Sequence, residues 1–260
     1  MSFLNLPIQT TIISIMGKAA DKASRIMTRS FHELDRLKIS RKNDNSIVTN
    51  VDILVNEVVM DVLLHARQRY SFLSEEIGEK KGEDSYRWIV DPLDGTSNFV
   101  HGLSDWNISI ALEDLEKNEI IAGIIYNPVK NEMFCAEKGC GAYMNNRRLR
   151  VSTRNKISDA FVAVKKLQMK EGLLAERICA GVRKLGSSST NFAYLAAGKF
   201  DVFFLEQNSK NIWDVAAGLI LLKEAGGISV DKNWNPTNDC SAVSIATTLD
   251  MLPEIERVFK

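Results

Sequence analysis

Apolar positions recur at helical spacing from about Ile12, through Ile15, Met16, Ala19 and Ala23. The same periodicity returns across residues 51–64. Then the texture changes. Tyr86-Arg87-Trp88-Ile89-Val90 is a short β-rich run that ends abruptly at Asp91-Pro92, and residues 106–112 alternate like a half-buried strand. Residues 120–126 form another apolar run, closed by Asn127-Pro128. Residues 137–150 are turn-rich, with Gly139, Gly141 and Asn145-Asn146. Farther on, strand-like and helix-like segments alternate: a strand at 161–164, a helix at 191–197, a strand at 202–205 and a helix at 213–225. Gly226-Gly227 stops that last helix, and a strand begins at Ile228. This order predicts an α+β domain over residues 1–150 and an α/β domain over 151–260.

Composition narrows the classes. The chain has 260 residues, 45% hydrophobic and 25% charged, which is ordinary for a globular protein and far from a disordered one. Thirty-three basic residues balance thirty-three acidic ones, so overall charge favours neither a nucleic-acid binder nor a membrane-surface protein. Any anion must be held by a local device. The N-terminus has no early positive charge or cleavage pattern of a signal peptide, and no run approaches the ~20 apolar residues of a membrane span. Cys135, Cys140, Cys179 and Cys240 lack C-x-x-C spacing. They read as reduced, small buried hydrophobes in a cytoplasmic protein.

The chemistry concentrates in Asp91-Pro92-Leu93-Asp94-Gly95-Thr96-Ser97-Asn98-Phe99. An apolar strand delivers two carboxylates three residues apart, and Pro92 is expected to turn the chain sharply between them. Asp94-Gly95 then opens a helical turn in which Gly95, Thr96 and Ser97 offer amides to an anion, with Gly95 permitting close approach. Carboxylates beside phosphate-binding amides need a hard cation between them, and Mg²⁺ suits carboxylate, carbonyl and phosphate oxygens. A plain Asx-turn would need only one carboxylate and no threonine. Glu75-Glu76 follows the apolar run at 70–73, and Asp214 sits in the first turn predicted for the helix at 213–225. Alone, the first would be a solvated acidic pair and the second an N-cap.

Together, Glu75-Glu76, the D-P-x-D-G-T-x-N-F run, W-D-x-A-A-G from Trp213 and E-A-G-G from Glu224 resemble the inositol monophosphatase family, in order and spacing from about Lys42 to Asp231. The resemblance implies a Mg²⁺-dependent, lithium-sensitive phosphatase fold, a layered sandwich of alternating helices and sheets of the sugar-phosphatase type, with a homodimer and two to three Mg²⁺ ions per site. It implies metal ligation by Glu75, Asp91, the Leu93 carbonyl, Asp94 and Asp214, with Lys42 near an outer ion. Thr96, helped by Asp52, would position the attacking water, and Glu75 joins them in the catalytic set. In such two-metal hydrolysis the cations activate a water and stabilise the leaving oxygen. Substrate contacts would come from Glu75, Leu93, Asp94, Gly95, Thr96, Asp214 and the R-x-x-G-S pattern of Arg183, Gly186 and Ser187.

Three departures stand out. Ser74 replaces a glycine common before the glutamate pair, and only the local turn is expected to change. The family glutamate that bonds inositol hydroxyls falls on Leu205, with Glu206 next to it, and the run 207–212 is about two residues longer than usual. Glu206 is the expected replacement. The implied activity is hydrolysis of a small-molecule phosphate monoester, foremost myo-inositol 1-phosphate. Fructose 1,6-bisphosphate, NADP and 3′-phosphoadenosine 5′-phosphate are alternatives, as is a family role in binding the transcription machinery. Mg²⁺-dependent nucleotidyl transfer also uses clustered aspartates, but it calls for a basic nucleic-acid track that this composition lacks.

Overall fold

A computed structural model describes residues 7–42, 46–166, 170–205 and 211–260. Its architecture is five layers, alternately helix and sheet. Helices α1 (Thr11–Phe31) and α2 (Asn50–Ala66) form the first layer. Beneath them lies an eight-stranded sheet in the order β10-β9-β8-β7-β6-β5-β3-β4. Its strands are β3 (Ser71–Ser74), β4 (Gly78–Lys80), β5 (Tyr86–Asp94), β6 (Asn107–Asp114), β7 (Glu119–Asn127), β8 (Glu132–Glu137), β9 (Gly141–Met144) and β10 (Arg147–Arg148). Helices α5 (Ser188–Ala196) and α6 (Ala216–Glu224) make the central layer. A five-stranded sheet follows, in the order β12-β11-β13-β15-β14. It comprises β11 (Phe161–Val164), β12 (Gly181–Arg183), β13 (Val202–Phe204), β14 (Gly227–Val230) and β15 (Ile245–Thr248). Helices α4 (Lys170–Ile178) and α7 (Leu252–Phe259) close the far side. A small hairpin, β1 (Ile39–Arg41) with β2 (Ile47–Thr49), and a five-residue helix α3 (Thr96–Val100) flank the layers.

Period-two alternation assigns each strand face to a layer. On β5, Trp88 and Val90 join the core under α1 and α2, while Ile89 joins the core shared with α5 and α6. On β11 and β13, Val162, Val164, Val202 and Phe204 face α4 and α7, while Ala163 and Phe203 face α5 and α6. The central helix layer therefore packs between both sheets. β6 is buried along its whole length rather than half-buried, because helices cover both of its faces. Small residues let the central layer approach closely. A Cβ on Gly123 would come within 2.7 Å of Ile220 Cγ2, and one on Gly218 within 2.4 Å of Phe192 Cβ.

Other expectations need correction. β5 does not turn sharply at Pro92; it continues to Asp94 through an irregular pairing with β6, in which Asp91 opposes Ser109 and Asp94 opposes Asn107. One extra residue is accommodated there, and proline, having no amide to lend the ladder, suits such a bulge. Ser74 is not in a turn. It is the last residue of β3, paired with Val90 and Gly78, and its fully buried Oγ has no hydrogen-bond partner among the described residues. Cys135 is a core residue as expected, whereas Cys140 is exposed. No described helix is long and apolar enough to cross a membrane.

Candidate active site

The cleft lies where the C-terminal ends of β3 and β5 meet the start of α3 and the turn before α6. It encloses about 390 Å³ and is lined by Glu75, Asp91, Leu93, Asp94, Gly95, Thr96, Ser97, Gly186 and Asp214, together with Arg41, Ser46, Ile47 and Asn211. Residues three apart on a regular strand face opposite ways. The bulge in β5 supplies the compensating reversal that turns both Asp91 and Asp94 toward this cleft.

Glu75, Asp91 and Asp214 each place one carboxylate oxygen within 4.8 Å of the other two. These three come from two halves of the chain. Asp214 is not in the first turn of a helix: it ends a 3₁₀ turn (Ile212–Asp214), and α6 begins two residues later without a side-chain cap. Asp94 lines the same cleft but turns Oδ2 backward. That oxygen accepts from Ser187 Oγ (2.7 Å), the Ser189 amide (2.8 Å) and Ser189 Oγ. Asn107 braces this network from β6, accepting from Ser189 Oγ and donating to Ser187 Oγ. Ser187 is also the N-cap of α5. The start of α5 thus acts as a clamp on one carboxylate, as a helix N-terminus favours.

Burial first, then the neighbouring acids, pushes the carboxyls of Glu75, Asp91 and Asp94 upward. Glu75 rises to about 7. Asp91, buried and facing Glu75, Asp94 and Asp214, is held well above its usual range. Asp94 is raised by burial and then by Asp214, although the serine hydrogen bonds oppose the shift. Two lysines partly neutralise the cluster. Lys42 Nζ lies 2.8 Å from both Glu75 Oε1 and Glu76 Oε1, and Lys165 Nζ lies 2.9 Å from Asp214 Oδ2. Burial opposes the charge on Lys42, but the two glutamates outweigh it and raise its pKa. A set of hard oxygen donors that repel one another fits Mg²⁺, which takes carboxylate and carbonyl oxygens.

The proton balance has a measurable consequence. Folded, Glu75 keeps its proton to about pH 7, whereas the reference carboxyl releases it near 4.5. Between those values the folded state binds more protons, so this contribution favours folding at low pH and is lost as pH rises toward 7. The shift corresponds to a few kcal/mol at most, about 1.4 kcal/mol per pH unit. Metal-free protein is therefore expected to have a higher thermal midpoint at pH 6 than at pH 8, with millimolar Mg²⁺ closing most of the gap at pH 8. A midpoint unchanged by pH and by Mg²⁺ would contradict the repulsive cluster.

Beside the carboxylates, Thr96 Oγ1 lies 3.0 Å from Asp52 Oδ1 and 3.0 Å from the Leu93 carbonyl oxygen. Asp52 is fixed by a capping box at the start of α2: its Oδ2 accepts from the Thr49 amide (2.8 Å) and Thr49 Oγ1 (2.6 Å). Burial raises the Asp52 pKa despite those bonds. Gly95 takes φ +96°, and a Cβ there would stand 2.7 Å from the Asp105 carbonyl oxygen, so glycine is required both for the turn and for space. Asn98 of the same motif ties α3 to the opposite wall, donating to the Asp105 and Leu185 carbonyls.

The remaining expected contacts are distributed differently. Gly186 lines the cleft. Ser187 lies behind Asp94 and bonds to it, and Arg183 is exposed at the end of β12, its guanidinium 4.8 Å from the Phe161 ring centre. Leu205 is a core residue. Glu206 lies outside the described residues. Ser189, Asn107 and Lys165 were not legible as site residues, because serines, asparagines and lysines are common and only the meeting of the two halves gives them a carboxylate to bind.

Comparisons with known proteins agree with this architecture. The inositol monophosphatase family profile matches residues 8–252. An inositol-1-monophosphatase of Mesorhizobium japonicum is 41% identical over 235 residues, covering 86% of each chain. Nus factor SuhB of Escherichia coli K12 is 35% identical over 231 residues, covering 85% of each. The crystal structure of extragenic suppressor protein SuhB from Bartonella henselae matches with a TM-score of 0.89 at 36% identity, covering 96% of this chain and 99% of that one. With the motif order, the layered fold and the acidic cleft all in agreement, the chain belongs to the inositol monophosphatase family.

Proposed function

We propose that this chain is a Mg²⁺-dependent phosphoric monoester hydrolase whose foremost substrate is myo-inositol 1-phosphate. The observation that carries the reading is the convergence of Glu75, Asp91 and Asp214 on one point beside the Thr96–Asp52 pair. Glu75, Asp91, the Leu93 carbonyl, Asp94 and Asp214 are the residues to hold Mg²⁺. When bound, the cations supply Lewis-acid activation of water and charge stabilisation of the leaving oxygen.

The protein's own groups do the rest. At the start of α3 the first amides have no partner within the helix, and in this reading those of Gly95 and Thr96 receive phosphate oxygens. A Thr96 hydroxyl that donates to Asp52 keeps lone pairs to receive a proton from the attacking water. Asp52, its pKa raised by burial, is the more effective acceptor behind it. Ser187 and Ser189 hold Asp94 still. In this reading the enzyme acts on a dissolved metabolite, in the cytoplasm, as a homodimer.

The deciding experiment is a panel of phosphate monoesters assayed with Mg²⁺, with and without lithium. Inositol 1-phosphate is expected to lead the panel, and lithium to inhibit. Glu75→Gln should lose most activity, while Glu76→Gln, whose carboxylate bonds Lys42 outside the three-carboxylate cluster, should stay within about tenfold of wild type. Mg²⁺-independent turnover, or equal losses in the two variants, would overturn the assignment. A second reading, binding to the transcription machinery, draws on the similarity to Nus factor SuhB. That role would survive Asp94→Asn, which separates it from catalysis.

A further inference from the structure

Lys165 follows β11, in the half of the chain opposite the strand that carries Asp91. Its ammonium reaches Asp214 Oδ2 at 2.9 Å, in a partly buried pair with side-chain exposures of 27% and 13%. Asp214 is one of the three carboxylates whose oxygens lie within 4.8 Å of one another. A compact ammonium on that oxygen supplies one positive charge where a divalent cation would supply two. Lys42 stands differently: it bridges Glu75 and Glu76, so it keeps a carboxylate partner when Glu75 turns to a metal.

We propose that Lys165 is a built-in counter-cation that competes with a divalent metal ion for Asp214 and thereby sets how tightly that ion is held. The inference rests on the metal-binding reading of the cleft given above. Coulomb interaction at this separation, even moderated by partial exposure, is large enough to change affinity by an order of magnitude. Lys165 is thus a positioning residue, acting on the metal through Asp214. It tunes the site toward weaker, exchangeable occupancy and limits repulsion among the carboxylates when no metal is present.

The test is isothermal titration of metal-free, full-length protein with Mg²⁺ and with Mn²⁺, together with thermal melts of the metal-free state. Lys165→Met is expected to bind the cation about tenfold more tightly than wild type and to melt earlier without metal. Lys165→Arg keeps the charge and should bind within about twofold of wild type. Lys166→Met removes the same charge one residue along and should also change affinity less than about twofold. If Lys165→Met fails to fold, Lys165→Gln carries the same measurement. Wild-type binding with unchanged affinity in Lys165→Met overturns the Lys165 inference and leaves the metal site intact. Equal tightening in Lys166→Met overturns it too, since general charge would then be the cause. Absence of cation binding in every protein overturns both this inference and the proposed function.

Discussion

Asp94→Asn is expected to lower kcat/KM by at least about a thousandfold, ~4 kcal/mol of transition-state stabilisation, while the fold persists. The substitution keeps the shape, and an amide oxygen can still accept from Ser187 Oγ and the Ser189 amide. The other atom facing the cleft then becomes a donor where a carboxylate oxygen stood. Because burial and Asp214 hold the Asp94 carboxyl above its ordinary pKa, its charge at neutral pH is unfavourable in the metal-free fold. Removing that charge should raise the thermal midpoint of metal-free protein by a few degrees at pH 8, about 2–4 °C per kcal/mol for a chain of this size. Steady-state kinetics and melts in chelator check both arms. Turnover within tenfold of wild type would remove Asp94 from the proposed metal ligands, and a lowered midpoint would mean that the serine clamp matters more than the repulsion.

Thr96→Ala should produce the second large effect, a fall in kcat of about a hundredfold to ten-thousandfold with KM nearly unchanged. The hydroxyl is placed by Asp52 and by the Leu93 carbonyl, and positioning a water matters mainly in the transition state. Asp52→Asn should share the kcat loss. It also weakens the capping box with Thr49, so a stability loss of about 0.5–2 kcal/mol should accompany it. Thr96→Ala has no such cap to lose. A rise in KM with kcat preserved would instead make Thr96 a substrate-binding residue.

Much of this was legible because the signals were local. Helical spacing from Ile12 foretold α1, and the same spacing across residues 51–64 foretold α2. The nonapeptide from Asp91 showed its chemistry in its residue types, two carboxylates followed by a glycine and a threonine, but not that the strand runs on through Pro92 to Asp94. Asp214 was found through its motif, yet its setting was misjudged. Apolar residues from Trp213 onward suit a helix, but the 3₁₀ turn before Val215 depends on how that chain packs against β5 and β6. The alternation at 106–112 failed for a similar reason. A strand cannot announce in its own residues that helices will cover both of its faces.

The sequence by itself determined the order of helices and strands, the acidic motifs and, through them, the family with its layered fold, since each motif depends on residue type and spacing along a short stretch. Only the tertiary structure decided which charges meet. Glu75 and Asp91 arrive from neighbouring parallel strands, Asp214 from a turn more than a hundred residues later, and Lys165 from the second sheet. Their mutual repulsion, the raised pKa of Glu75 and the serine clamp on Asp94 exist only once the two halves close on one cleft. Electrostatic energy depends on distance and burial, and neither is a property of any single segment.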